Sequence, residues 1–342
     1  MNKPSPKYLI NKLSCAARML VHRDINNLPA FKNAIVTIGT FDGVHTGHLQ
    51  VIHQLKKEAA AVNGETVIIT FDPHPRMVID AAKHSKTPIR LLTTLDEKTE
   101  LLAKQNIDHL VIVSFTQQFS EQTATDYIKN FLAEKFHPHT IIIGYDHQFG
   151  KNRTGDYKLL EAYQSQFHYT VKEIPEYVLH HIIISSTNIR NALKQNDIKT
   201  ANECLGYSYF FGGMVVHGDK LGRKLGYPTA NIKINDENKL IPADGIYAVK
   251  VSILNRQSSI INRQSQIEYY NGMMSIGVRP TVGGTHHVIE VNIFDFDKDI
   301  YGKNARVYVE HFLRPEIKFD NLESLKQQIA IDKINSLKLL GS

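Results

Sequence analysis

No apolar run in this 342-residue sequence approaches the length of a bilayer span, so no membrane helix is expected. Tryptophan is absent, and cysteine occurs only at Cys15 and Cys204. Two cysteines so far apart argue against a disulfide framework and for free thiols in a reducing compartment. The opening Met-Asn-Lys-Pro-Ser-Pro-Lys is followed by no apolar core of the kind an export signal carries. A cytoplasmic protein with no membrane partner is therefore expected. A dense basic run and an aromatic-rich RNA signature are also missing, although the formal charge is +6 and the pI near 9.0. Mild basicity of this kind suits anionic ligands without implying nucleic acid. The 17 histidines stand in no C-x-x-C or H-E-x-x-H frame. Neighbours such as His180-His181 and His286-His287 thus read as surface residues rather than metal ligands. An apolar content of 42% with 22% charged residues fits a soluble globular chain, and the length suggests about two domains.

What is present is concentrated between residues 34 and 49. An apolar, β-branched run at residues 35–38 reads as a buried strand, turns through Gly39 and Gly43, and ends in His45-Thr46-Gly47-His48. A helical pattern follows at once, with Leu49, Ile52, Leu55 and Ala59 on one face. A strand that opens through a glycine turn into a helix aims backbone N–H groups and a positive dipole end at one spot, which suits phosphate. Two histidines there can donate hydrogen bonds to phosphoryl oxygens without carrying fixed charge. The combined pattern Gly39-x-Phe41-Asp42-Gly43-x-His45-x-Gly47-His48 favours phosphate binding over a plain strand–turn–helix with surface histidines.

Further strands are expected at residues 66–72, 108–115 and 140–146, alternating with helices at 91–102 and 120–136. That alternation implies a doubly wound parallel sheet with right-handed crossovers. Strand 66–72 runs into Pro73-His74-Pro75-Arg76, where two prolines are expected to force a loop. The stretch Asp146-His-Gln-Phe149-Gly150-Lys-Asn-Arg153-Thr-Gly155 reads equally as a loop around an anionic ligand, with Phe149 stacked on a flat ring, or as a solvated turn. Ser185-Ser186-Thr187 before an apolar helical pattern is ordinary N-cap chemistry. Arg190 is different, because an arginine in the first turn opposes the helix dipole unless an anion sits opposite it.

After about residue 204 the helical periodicity gives way to short strands at 209–216, 245–253, 273–276, 288–294 and 305–312, which suggest a small antiparallel barrel closed by a helix at 321–334. The division expected is 1–204 and 205–342. The segment Gly218-Asp-Lys220-Leu-Gly222-Arg223-Lys-Leu-Gly226-Tyr-Pro228-Thr229-Ala230-Asn231 is a glycine-rich basic loop able to cover phosphates, and it is not a P-loop. Glu290, on residues alone, is one charged side chain in an alternating strand. The polar repeat Asn255-Arg-Gln-Ser258 and Asn262-Arg-Gln-Ser265 reads as a hairpin tip without catalytic duty.

Together these motifs resemble the bacterial bifunctional riboflavin kinase/FMN adenylyltransferase (FAD synthetase) family over roughly residues 30–335. Residues 39–48 and Ser185-Ser186-Thr187-x-x-Arg190 resemble the two signatures of HxGH nucleotidylyltransferases. Asp72-Pro-His-Pro75 and Gly144-Tyr-Asp-x-x-Phe-Gly150 narrow the likeness, and Gly222-Arg-x-Leu-Gly-Tyr-Pro-Thr-Ala-Asn231 resembles the riboflavin kinase motif. The resemblance implies a Rossmann-like N-terminal domain that adenylylates FMN to FAD, and a C-terminal barrel that phosphorylates riboflavin to FMN. ATP would serve both reactions, with Mg²⁺ as cofactor. It implies catalytic roles for His45, His48, Arg190 and Glu290. ATP contacts would come from Gly39, Phe41, Gly47, Ser186, Thr187, Gly218, Lys220, Gly222 and Arg223. Flavin contacts would come from Asp72, Asp146, Phe149, Arg153 and Arg279, and Mg²⁺ would be held by Thr229 and Asn231. Asn188 and His147 depart from the family pattern, which points to a kinase-only enzyme as one alternative; a flavin- or nucleotide-binding regulator without turnover is another, of a different class.

Overall fold

The structure is a computed structural model that describes residues 19–82, 84, 88–145, 147–174, 178–179, 182–218, 222, 225–254, 268–281 and 284–341. By packing, the chain forms two compact units. One comprises residues 1–40, 51–83 and 99–175, and the other residues 41–50, 84–98 and 176–342.

The first unit is built on a parallel sheet of β1 (Leu20–His22), β2 (Ile35–Ile38), β3 (Thr66–Asp72), β4 (His109–Ser114), β5 (Thr140–Gly144) and β6 (Thr170–Ile174), in the order β1-β4-β3-β2-β5-β6. Strands β2 to β5 are buried along almost their whole length rather than alternately, because helices cover both faces of such a sheet. The connecting helices are α1 (Thr46–Ala61) and α3 (Leu95–Ala103), whose first residues belong to the second unit, and α2 (Pro75–Ala82), α4 (Gln117–Ser120), α5 (Ala124–Asp126), α6 (Glu134–Phe136) and α7 (Tyr157–Phe167). A π-helical turn, Tyr127–Ala133, joins α5 to α6. The expected single helix at 120–136 is thus interrupted, because Thr123 caps a new start by accepting from the Asp126 N–H. The expected loop at residues 73–76 is short, since Pro75 occupies the first position of α2, where its missing N–H costs nothing. Strand order reverses between β2 and β5, so the segment leaving β2 starts at a topological switch point, where open α/β sheets bind ligands.

The second unit holds the hairpin β7 (Val178–Leu179) and β8 (Ile182–Ile183), and the helices α8 (Ser186–Lys194) and α9 (Ile198–Leu205). It also holds a closed barrel of β9 (Tyr209–Val216), β10 (Ala230–Ile234), β11 (Gly245–Leu254), β12 (Tyr270–Thr281), β13 (Gly284–Ile293) and β14 (Asn304–Arg314), in the order β10-β13-β12-β11-β14-β9. Here burial alternates, with Ala305, Val307 and Val309 of β14 pointing inward. Register shifts between β11 and β14 help the sheet curve until no edge is left unpaired. The expected class, a parallel α/β sheet plus a small antiparallel barrel, is the one observed. The barrel strands are longer than expected at β12 to β14, and β10 was not anticipated. Helix α10 (Leu322–Leu340) is capped by Asn321, which accepts from the Ser324 N–H. It packs on β11, β12 and β14, where Arg314 forks onto its buried Asp332 at 3.0 and 2.6 Å.

Candidate active sites

Between β2 and α1 the backbone turns through three left-handed residues, Phe41, Gly43 and Val44, with φ of 47°, 86° and 40°. A β-branched valine in that region is strained, and such strain persists only where surrounding contacts hold it. Those contacts converge on Asp42, which is 1% exposed. Its carboxylate accepts from the N–H groups of Leu92 (3.1 Å) and Thr93 (3.0 Å) and from the Thr93 hydroxyl (3.2 Å). The Arg190 guanidinium pairs with it in a short contact and donates its Nε–H to the Arg90 carbonyl at 2.8 Å. Ser186 Oγ donates to the Asp42 carbonyl at 2.9 Å, and the Tyr207 hydroxyl to that of Gly43. Arg190 was expected to face an external anion; in the structure the anion opposite it is Asp42. As the fifth residue of α8, Arg190 lies just past the first turn, and the buried Asp42 carboxylate is the anion that offsets its charge there.

The braced turn presents two stacked imidazoles. The His45 and His48 rings lie 3.6 Å apart and 16° from parallel, and Phe41 packs 4.9 Å from His48. Gly47 permits this, because a Cβ there would lie 3.2 Å from His45 Nδ1. The His48 N–H donates to His45 Nδ1 at 3.3 Å, which assigns the remaining proton of a neutral His45 to Nε2. Burial is the main reason that the His45 pKa falls to about 4; Arg190 adds to the fall and Asp42 opposes it. His48 is pushed well below the ordinary value by burial, then by His45 and Lys98. Near neutrality both rings are therefore uncharged donors. Of the expected partners, Phe41, His45, Gly47, His48, Ser186 and Arg190 come together around this turn. Gly39 ends β2, donating to the Ile69 carbonyl, and Thr187 is exposed on the first turn of α8. Asn188 donates its N–H to the Ser185 cap.

The His45 pKa carries a stability prediction. In the unfolded chain the imidazole titrates near 6.5, so between that value and about 4 the unfolded state binds more protons. Stability from this group is then complete above about 6.5 and lost as pH falls toward 4, on the order of 3 kcal/mol in all. Denaturant unfolding across pH 4.5–7 is expected to show a steeper loss for the wild type than for His45→Asn.

In the first unit, Asp72 is exposed at the C-terminal end of β3. Phe149 is buried, its ring stacked on Tyr127 at 5.0 Å and on His147 at 5.9 Å. It exchanges two backbone hydrogen bonds with Gly155, whose Cβ would strike the Phe149 ring. Its ring thus anchors the loop to the core. Arg153 is exposed and donates to the Gln148 side chain at 2.8 Å. Asp146, Lys220 and Arg223 lie outside the described residues, as do the side chain of Arg279, Cys15, His180-His181, the His286 side chain and the 255–265 segment. His287 is exposed and pairs with Asp244.

On the barrel, β10 runs between β9 and β13, and its register sets Asn231 opposite Glu290. Opposed residues on antiparallel strands lie about 5 Å apart, so the amide and the carboxylate share one spot. On its other side Glu290 is in register with Ser275, whose hydroxyl donates to Glu316 at 3.1 Å. Gly218 packs so closely on Asn231 that a Cβ would lie 2.1 Å from its amide nitrogen, and a Cβ on Gly222 would lie 3.4 Å from Thr229 Oγ1. Asn292, buried beside β10, donates to the Pro228 carbonyl at 2.7 Å and fixes the approach to Thr229. A cavity of about 380 Å³ opens beside Thr229, lined by Val215, Val291, Ile293, Phe296 and Tyr301 among others. His217, which precedes Gly218, packs its ring at a tilt on Tyr301, 3.9 Å between centres. The Thr229 hydroxyl and, two residues on, the Asn231 amide oxygen are hard oxygen donors of the kind Mg²⁺ takes together with substrate phosphates.

Residues 28–188 match the FAD synthetase family model, and residues 205–340 the riboflavin kinase model. A protein of Listeria monocytogenes named bifunctional riboflavin kinase/FMN adenylyltransferase is 38% identical over 88% of this chain and 90% of its own. The protein of that name from Escherichia coli is 32% identical over 94% of this chain and 98% of its own. Among solved structures, a Streptococcus pneumoniae protein titled a macrolide-efflux protein superposes with a TM-score of 0.79 at 29% identity, covering 93% of this chain and 98% of that one. That title names transport, whereas among the described residues no helix of this chain is long and apolar enough to cross a membrane.

Proposed function

This chain belongs to the bifunctional riboflavin kinase/FMN adenylyltransferase family, and we propose that residues 205–342 phosphorylate riboflavin to FMN while residues 1–204 transfer AMP from ATP to FMN. The register that places Glu290 opposite Asn231 carries the kinase assignment. Glu290 takes the proton of the ribityl 5′-hydroxyl as that oxygen attacks the γ-phosphorus of ATP, giving FMN and ADP. Thr229 and Asn231 would hold Mg²⁺, which neutralises phosphate charge when bound. The cavity beside Thr229 is large enough for a nucleobase.

For adenylyl transfer, an FMN phosphate oxygen attacks the α-phosphorus of ATP and pyrophosphate leaves. FMN is already anionic, so no strong base is needed; positioning and charge stabilisation suffice. His45 and His48, neutral and aimed by their stack, donate to oxygens on the reacting phosphate. The N–H groups that open α8 at Ser186 and Thr187 receive the outer phosphates, while the Ser186 hydroxyl holds the Asp42 carbonyl. Arg190 serves the site through Asp42, by bracing the turn that aims the imidazoles.

The test is a chromatographic time course of riboflavin, FMN and FAD with purified protein, ATP and Mg²⁺. FMN followed by FAD is expected. FMN without FAD would leave the kinase reading alone standing, and neither product from folded protein would overturn both.

A further inference from the structure

Residues 89–98 carry none of the expected catalytic side chains, yet they join the His45 turn to the barrel within one packing unit. The Leu91 N–H donates to the Asn238 carbonyl at 2.7 Å, and the Leu240 N–H donates to the Leu91 carbonyl at 2.8 Å. Between them stands Lys239, 4% exposed. Its ammonium donates to the Leu92 carbonyl at 2.6 Å and to Glu97 Oε2 at 2.7 Å, and lies 4.7 Å from the centre of the Tyr209 ring. Glu97 also accepts from the Thr94 N–H at 2.9 Å while Thr94 Oγ1 accepts from the Glu97 N–H at 3.2 Å, a capping box that starts α3. The next groups along the strap, the N–H groups of Leu92 and Thr93, are those that hold Asp42. Asp42 lies three residues before His45.

A buried Lys–Glu pair is a poor device for stability alone, since well-packed apolar residues often serve as well. What it supplies is direction: a donor fixed on one carbonyl and a carboxylate fixed on one N–H. We propose that Lys239, which lies inside the riboflavin kinase match, is a positioning residue for adenylyl transfer. It locks the 91–94 strap, the strap locks Asp42, and Asp42 aims the His45–His48 pair. Burial pushes the Lys239 pKa down, and Glu97 opposes the shift. The proposal rests on the reading of His45 and His48 as the adenylyl-transfer site.

The test uses the full chain as wild type, Lys239→Met and the double variant Lys239→Met/Glu97→Leu. Lys239→Met is expected to lower kcat for FMN to FAD about tenfold or more, the scale of a sub-ångström misplacement, with KM values changed less than about twofold. Riboflavin phosphorylation by the same preparations stays at the wild-type rate. The double variant is expected to regain the wild-type thermal midpoint without regaining kcat. Wild-type kcat in Lys239→Met, or kcat recovered together with stability in the double variant, would overturn the proposal. Should Lys239→Met not fold, Glu97→Gln carries the comparison: a lower kcat supports the proposal and an unchanged one overturns it. A wild type that forms FMN but no FAD would overturn the adenylyl-transfer reading and this proposal with it.

Discussion

Replacing Glu290 with glutamine is expected to lower riboflavin phosphorylation by about 10²–10⁴-fold, the range for loss of a positioned general base. The amide keeps the shape of the side chain and can still face Asn231 across the β10–β13 register, so the barrel has no reason to unfold. It cannot accept the hydroxyl proton. The loss is therefore expected in kcat, with KM for ATP little changed, because Glu290 acts on the attacking oxygen rather than on the nucleotide. With FMN supplied directly, the variant is expected to make FAD at the wild-type rate. A matched loss in both reactions would show that Glu290 supports the fold rather than the chemistry.

His48→Ala is expected to give the opposite pattern: normal FMN formation and adenylyl transfer lowered by about 10²–10³-fold, the usual consequence of removing one donor to a charge-developing phosphate. Two effects add. The variant loses its own donor, and it removes the ring against which His45 stacks at 3.6 Å. His45 then keeps its hydrogen bond from the backbone N–H of residue 48 but loses its lateral support. In a time course from riboflavin, FMN is expected to accumulate. Undiminished FAD formation would remove His48 from the mechanism.

Much of this architecture was readable from residues. Strands β2, β3 and β9 have the bounds that the sequence suggests, because a continuous β-branched run, or a sharply bounded aromatic one, has few other ways to be buried. Strand β10 was not legible. It is short and follows Pro228, and although Ala230, Ile232 and Ile234 alternate with Asn231 and Lys233 as a half-buried strand does, five residues beside a glycine-rich loop are too few for that period to stand out; pairing with β9 and β13 completes it. The strap was misread for a similar reason. Leu91, Leu92 and Leu95 sit at helical spacing, but the backbone of residues 91–93 is committed elsewhere, to Asn238, Leu240 and Asp42. A local pattern cannot show a hydrogen-bond partner about 50 or 150 residues away. Arg190 lies between these cases. Its conflict with the helix dipole signalled that an anion was needed, but nothing local indicated that Asp42 would supply it.

The packing units also bear on how the two reactions are pulled apart genetically. The family matches break between residues 188 and 205, which invites expression of each half alone. Yet the His45 turn packs with later parts of the second unit: Thr46 donates its hydroxyl to the Cys204 carbonyl of α9 at 2.8 Å, Tyr207 just before β9 caps the Gly43 carbonyl, and Lys239 secures the strap behind Asp42. A fragment ending at residue 204 keeps every histidine and serine of the adenylylation signature but discards two of the groups that hold them in register. Inactivity of such a fragment would reveal dependence on a scaffold, and would be no evidence that the missing half takes part in the chemistry.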